Sequence, residues 1–436
     1  MLKGEQMRKL ICALIALMPV AASAQEGINS GDTAWMMTST ALVLFMSLPG
    51  LALFYGGLVR AKNVLSVLVQ CFAIVCVVSV IWLVCGYSLA FAPGNGFIGG
   101  LSKAFLYGVG ENSVNGTIPE TVFVMYQLTF AAITPALVVG GFAERMKFSA
   151  MLLFSVLWLL AVYLPVCHWV WAADGWLFKR GLLDFAGGTV VHITAGVAAL
   201  VAAIVLGSRR GFMQTPMMPH NMTMTVTGAG MLWVGWFGFN GGSALSAGGN
   251  AGMAILVTHT SAAAGALMWS AIEWVKYGKP SALGIVTGMV AGLGTITPAS
   301  GYVGPGGALV IGLVAGFVCF FATHGLKRVL RIDDSLDVFP VHGVGGMLGT
   351  FAAGIFASSA LGVFSGQGYA EGMDMGSQVG VQLLGIGATI AYTALLTWVL
   401  LKLVAAVAGL RVNDEEETLG LDTTQHNERG YDLQSL

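Results

Sequence analysis

Eleven stretches of this chain are long and apolar enough to cross a bilayer, and little sequence is left between them. Near residues 33–58, 64–91, 121–143, 148–171, 188–207, 222–241, 251–275, 281–299, 304–326, 341–357 and 376–407 the chain runs apolar with almost no charge. A hydrocarbon core about 30 Å thick takes about 20 such residues as a helix. In that solvent every backbone N–H and C=O must be paired internally, so a chain of this pattern spans as helices. Charged residues make up 9% of the 436, against about 25% in soluble domains, too few to cover a water-facing surface. The expected fold class is an all-α polytopic membrane protein of eleven transmembrane helices. A formal net charge of −1 leaves no basic footprint, which excludes nucleic acid as a partner.

The first 24 residues stand apart. Lys3, Arg8 and Lys9 form a basic n-region, Leu10 to Ala22 an apolar stretch, and Ala22-Ser23-Ala24 an A-x-A cleavage pattern. A signal peptide explains all three features better than a short first transmembrane helix does. Cys12 leaves with it. Cys71, Cys76, Cys85, Cys167 and Cys319 lie in apolar runs without CxxC spacing and read as small packed hydrophobes.

Orientation follows from the basic residues. Arg60, Lys62, Arg145, Lys147, Arg209, Arg210, Lys276, Lys279, Lys327, Arg328 and Arg331 occupy one set of alternate loops, and only Lys103, Lys179 and Arg180 the other. The positive-inside rule then gives N-out and C-in, in agreement with a cleaved leader. Residues 25–410 form the transmembrane domain and 411–436 a polar cytoplasmic tail. That tail, with Glu415-Glu416-Glu417, is either solvated or a docking segment for a soluble partner.

Glycine recurs at three- to five-residue steps, as Gly284, Gly288, Gly292 and Gly294 and again as Gly306, Gly307, Gly312 and Gly316. Small-residue faces of this kind let helices approach closely, so the bundle should be compact around a narrow pathway. Polar groups at membrane depth mark such a pathway. His192 follows Asp184 and a Gly pair into the fifth segment, and His342 follows Asp337 into the tenth and precedes Gly343. The two lie an odd number of segments apart, on helices of opposite direction. This implies an inverted repeat, residues 33–207 against 222–357 with a final helix at 376–407, that brings both imidazoles to one interface. Two His with no third ligand nearby and no HExxH argue against a metal centre. No GxSxG and no Walker-type loop supports covalent or nucleotide chemistry, so neither an enzyme nor a cofactor is expected.

Longer motifs carry a resemblance. Asp184-Phe-Ala-Gly-Gly-Thr-Val-Val-His-Ile-Thr-Ala-Gly-Val-Ala-Ala-Leu, Ala41-Leu-Val-Leu-Phe-Met-Ser-Leu-Pro-Gly-Leu-Ala-Leu-Phe-Tyr-Gly-Gly57, Trp236-Phe-Gly-Phe-Asn240 and Asp337-Val-Phe-Pro-Val-His-Gly343 together resemble the ammonium transporter/methylammonium permease/Rhesus family. The resemblance covers nearly the whole mature chain. It implies a bacterial inner-membrane ammonium transporter, assembled as a homotrimer and blocked at the cytoplasmic face by a PII-type signalling protein. The tail departs from that pattern, reading Thr424-Gln-His-Asn-Glu-Arg-Gly-Tyr431 where many relatives have His-Gly-Glu-x-Ala-Tyr.

By the same resemblance, Trp171 matches the aromatic wall of an external ammonium site and Ser243 its hydroxyl ligand. Phe130 and Phe239 match two stacked rings that gate the pathway below, and Tyr126 stands where the family usually has Phe. On a helix Tyr126 and Phe130 share a face. Asp184 either caps the fifth helix or meets the cation directly, and the glycines after it favour the cap. Asp337 is its expected counterpart by repeat symmetry.

The chemistry fits transport of ammonium or methylammonium. Aromatic faces hold a cation by roughly 0.5–2 kcal/mol each, whereas carrying a bare ion into a low-dielectric interior costs on the order of 20 kcal/mol in the Born limit. Deprotonation near the Phe gate resolves the mismatch, with the pore imidazoles His192 and His342 either hydrogen-bonding neutral ammonia through fixed tautomers or carrying the released proton in parallel, and K+ and Na+ have no proton to lose. An ammonium sensor with little flux is the alternative from another class.

Overall fold

The computed structural model describes residues 27–431, and the expected signal peptide lies outside them. In chain order the long helices are α1 (Ser30–Leu58), α2 (Ala61–Phe91), α3 (Glu120–Phe142), α4 (Phe148–Trp171), α5 (Gly188–Leu206), α6 (Met222–Gly242), α7 (Gly249–Tyr277), α8 (Ala282–Ile296), α9 (Pro305–Val329), α10 (Phe339–Phe356) and α11 (Met375–Ala408). Among the described residues nine of these are long and apolar enough to cross a membrane, all but α6 and α8. The α6 sequence is diluted by Gly and Thr, and α8 has 15 residues. A two-stranded hairpin, β1 (Val114–Asn115) with β2 (Ile118–Pro119), folds the long loop between α2 and α3.

Close approach of backbones sets the packing. A Cβ built on Gly292 or Gly312 would lie 2.3 or 2.4 Å from the Ser261 carbonyl oxygen of α7, and one on Gly288 or Gly316 2.6 or 2.5 Å from that of Gly265. The glycines of α8 and α9 therefore seat both helices on one face of α7, as their spacing predicts. The crossing of α5 and α10 is as close, with a Cβ on Gly196 only 2.3 Å from the Gly343 Cα. It decides where the two imidazoles meet.

The cysteines match expectation in part. Cys71, Cys167 and Cys319 are buried, but Cys76 is exposed on the outer surface of α2, and all five are free thiols. A lone exposed thiol facing lipid serves as an apolar side chain without being packed.

Charge is gathered at one end of the bundle. Glu144 accepts from Arg60 Nε at 3.0 Å and from Arg209 Nη1 at 2.6 Å, and Arg209 Nη2 donates to Asp333 at 2.8 Å. Arg145, fully buried, donates to the carbonyls of Gly141, Ala143, Gly207 and Asp333 and to Ser335. Burial alone would raise the Glu144 carboxyl, yet Arg209 and Arg60 outweigh it and hold it at about 2. Its contribution to stability is therefore full above the unfolded carboxylate pKa of about 4 and is lost as pH falls toward 2. Glu144→Gln should lower stability by roughly 3–5 kcal/mol at neutral pH, because it strands buried guanidinium charge. Thermal midpoints recorded against pH should show the acid limb flattened in the variant; an unchanged curve would contradict the assignment.

The tail is docked on this same end. Beyond α11, α12 (Asp414–Leu419) and α13 (Leu421–His426) fold back. Glu417 accepts from the Arg210 N–H at 2.6 Å and from Arg411 at 2.7 Å. Asp422 accepts from the N–H groups of Leu65 and Ser66 at 3.1 and 2.7 Å, capping the first turns of α2. Leu421 is fully buried, and the Tyr431 hydroxyl pairs with His220 at 3.0 Å. The tail thus follows neither expectation as stated: it is packed on the chain's own loops.

Candidate functional site

A cavity of about 390 Å3 opens at the opposite end of the bundle, among loops 92–119, 172–187 and 243–248, and is lined by Tyr87, Phe91, Lys103, Glu120, Phe123, Gln127, Phe130, Trp171, Phe185 and Ser243 among others. At its floor Phe130 meets Trp171 edge-on, with centroids 5.7 Å apart at 88°, and overlaps Phe239 at 4.3 Å and 40°. Ser243 Oγ donates to the Phe239 carbonyl at 2.8 Å, which leaves its lone pairs free to accept an N–H. An aromatic wall, a hydroxyl acceptor and a ring floor thus converge from α3, α4 and α6.

Tyr126 lies elsewhere. Its ring packs on Phe130 at 5.0 Å and 64°, is fully buried, and is absent from the cavity lining. Its hydroxyl reaches the Gly238 and Phe239 carbonyls at 3.0 and 2.8 Å and Ser243 Oγ at 3.2 Å. A Phe at this position would leave those groups at the end of α6 without that partner, so the hydroxyl fixes Ser243 and Phe239 from behind.

Asp184 also stands behind the cavity wall. Its Oδ1 accepts from the N–H groups of Gly187 and Gly188 at 2.8 and 2.6 Å, and Oδ2 from that of Thr189 at 2.8 Å and from the Thr189 hydroxyl. Gly187 holds φ +115°, a backbone state that L side chains avoid, which lets the chain turn into α5 around the carboxylate. The Asp184 carbonyl accepts from Trp171 Nε1 at 3.0 Å, so one residue both caps α5 and fixes the indole of the wall. This is the capping geometry, with no face of the carboxylate in the cavity lining.

Below Phe239 lies a small cavity of about 10 Å3 lined by Met46, Leu51, Phe54, Ile133, Leu137, Val191, Leu232, Trp236, Phe239, Val290 and the imidazoles of His192 and His342. His192 Nδ1 and His342 Nδ1 are 3.1 Å apart and the ring planes are nearly parallel, 18° from each other. One Nδ1 donates and the other accepts, so the outer Nε2 atoms must be in opposite states, one a donor and one an acceptor. His192 Nε2 is buried with no protein partner. Trp236 stacks on His192 at 5.7 Å and 15° and is itself held by Thr297 Oγ1 at 2.8 Å. His342 also lines a third cavity, about 120 Å3, which reaches Lys327 and Asp337 at the tail end.

Both imidazoles sit in widened π-helical turns, Gly188–Ile193 and Phe339–Gly343. Such turns displace a side chain from ordinary helical register and are frequent at functional sites. Residue spacing carries no sign of them.

The counterpart of Asp184 is not Asp337. Asp334, like Asp184, precedes its His by eight residues, and Asp334 Oδ2 accepts from the Phe339 N–H at 2.7 Å at the start of α10. Asp337 pairs with Lys327 at 2.8 Å. Asp334 is held by fewer donors than Asp184, and burial, with Asp337 adding, pushes its carboxyl up to about 7. The equal offset is legible in the sequence, whereas proximity to His342 points to the wrong acid. Among the described residues no group of three or more His, Cys, Asp or Glu could hold a metal ion.

The chain is similar to known proteins over most of its length. The model of the Ammonium Transporter Family matches residues 34–431. The ammonium transporter of Bacillus subtilis is 48% identical over 408 residues, covering 93% of this chain and 99% of that protein. The crystal structure of Saccharomyces cerevisiae Mep2 superposes with a TM-score of 0.81 at 40% identity, over 89% of this chain and 91% of that one. A structure titled Sensor Amt Protein gives 0.84 at 29% identity, over 91% and 98%.

Proposed function

The chain belongs to the ammonium transporter family, and from that premise we propose that it moves ammonium across a membrane by recruiting the cation, stripping its proton and passing ammonia through the narrow path. The observation that carries this reading is the facing pair His192 and His342, 3.1 Å apart in a conduit whose other lining is apolar or aromatic. Relatives near 48% identity are named transporters, whereas the sensor neighbour is at 29%, so transport is the stronger reading.

All eleven long helices span in this proposal, α6 and α8 included, with the vestibule outside, the tail in the cytoplasm and α1–α5 related to α6–α10 as an inverted repeat. The sorting of Lys and Arg to the tail end and the equal Asp-to-His offsets in α5 and α10 support it. A bacterial inner membrane fits the A-x-A leader pattern.

Selectivity follows from magnitudes. The cation in the vestibule trades part of its hydration for the Trp171 and Phe130 faces and the Ser243 oxygen, a gain of roughly 0.5–2 kcal/mol per ring. The conduit past Phe239 offers no charge, and a bare ion there costs several kcal/mol even after relaxation. Ammonium can give its proton to water in the open vestibule, as NH4+ + H2O → NH3 + H3O+, and continue as NH3, which donates to one imidazole Nε2 and accepts from the other. K+ has the same charge and no such route.

Uptake of labelled methylammonium by proteoliposomes tests the recruitment step. Trp171→Leu removes one cation–π face and should raise the half-saturation concentration by roughly 3- to 30-fold. A half-saturation unchanged from wild type would remove Trp171 from the site.

A further inference from the structure

One group in the vestibule has no part in the steps above. Lys103 projects from the 92–119 loop and its ammonium binds the Glu120 carboxylate while lying 5.7 Å from the centroid of the Tyr87 ring. Glu120 is the first residue of α3, and its side chain is 93% buried. It also accepts from the Tyr87 hydroxyl at 2.6 Å. Phe91 and Phe123 close the aromatic side, with rings 5.1 Å apart. These groups line the same cavity as Trp171, Phe130 and Ser243.

We propose that Glu120, Tyr87, Phe91 and Phe123 form an outer subsite for ammonium and small primary alkylammonium ions, and that Lys103 occupies it as a tethered competitor. A primary ammonium on a flexible stem is the chemical class that the recruitment site takes, and here one is delivered by the chain itself. The cage has what such an ion needs, a buried carboxylate for its charge and aromatic faces that attract the cation where water is stripped from it.

The tether is anchored at its base and free at its tip. The Lys103 N–H donates to Ser88 Oγ at 2.9 Å, and Ser88 Oγ donates to the Gly100 carbonyl at 2.8 Å, which ties the Lys103 backbone to the outer end of α2. The side chain remains about one-third exposed, so it can swing to solvent by rotamer change alone. An incoming ammonium that replaces it gains Glu120 and sits in the cavity that continues to Trp171. The subsite deepens the transport reading but is testable by binding alone.

Chemical rescue reads it directly. Lys103→Ala vacates the cage, and propylammonium, the excised part of the side chain, should bind there and raise the thermal midpoint of the purified full-length protein saturably. The shift should exceed that of wild type and of Lys103→Ala/Glu120→Gln, and half-saturation should be at least about threefold lower than in either. Lys103→Arg, which keeps a tethered cation, should respond as wild type does. Equal responses in Lys103→Ala and the double variant would overturn the proposal, as would a Lys103→Ala response no larger than that of wild type. Should Lys103→Ala alone be too unstable to purify, Lys103→Met supplies the vacated cage with its stem retained. None of these outcomes depends on flux, so they stand or fall apart from the transport reading.

Discussion

Replacing Asp184 with Ala should cut ammonium flux by about a hundredfold or more and lower the thermal midpoint of the same protein. The carboxylate accepts from the N–H groups of Gly187, Gly188 and Thr189 and from the Thr189 hydroxyl, in a site where Asp184 is 4% exposed. Each buried donor left unpaired costs about 1–3 kcal/mol, and two of them suffice for the factor of a hundred. The loss reaches transport through two connections. The Asp184 carbonyl holds the Trp171 indole, and the turn it caps carries His192. Asp184→Asn keeps an acceptor oxygen and should lie between the two. A structural cap predicts that midpoint and flux fall together while residual uptake keeps its half-saturation. A raised half-saturation with an intact midpoint would instead make Asp184 a ligand of the cation.

His192→Ala and His342→Ala should each lower ammonium uptake by about tenfold or more, the equivalent of one lost hydrogen bond of about 1–3 kcal/mol for ammonia in a path without water-like partners. The geometry makes the two losses unequal. His192 is braced by Trp236 on one face and touches His342 by its Nδ1, so truncating it removes the upper partner and frees the His342 ring to rotate. His342 borders the lower cavity as well, so its loss opens the narrow section toward the tail end. Because each imidazole fixes the tautomer of the other, the double variant should be less than additive.

Much of this organisation could be read from the residues. The segments expected at 188–207, 222–241 and 376–407 end within a residue or so of α5, α6 and α11, because long apolar runs bounded by polar loops leave little freedom of placement. The segment at 281–299 ends early, as α8 stops at Ile296 and Thr297 turns back to hold Trp236. Trp171, Phe130, Phe239, Ser243, His192 and His342 stand in motifs, and the structure places Trp171, Phe130 and Ser243 on one cavity and Phe239, His192 and His342 on a second, with Phe130 against Phe239 between them. Tyr126 and Asp184 stand in motifs too, yet they work from behind, since sequence identity does not tell which way a side chain faces. Three features left no trace in spacing: the widened turns under both His residues, the Glu144–Arg209–Asp333 network, and the docked tail. The network and the tail depend on contacts between loops distant in sequence, and the widened turns are a local change of hydrogen-bond register; periodicity within one segment reports neither.

The central claim is that only a species able to shed a proton passes His192 and His342. Proteoliposomes holding wild type, His192→Ala or His342→Ala test it when ammonium uptake and electrical current are recorded together, with equimolar K+ as the control. Wild type should take up ammonium and pass no K+, and both variants should lose ammonium uptake. Variants that match wild type in uptake and current, or a wild type that carries K+ as readily as ammonium, would contradict the account.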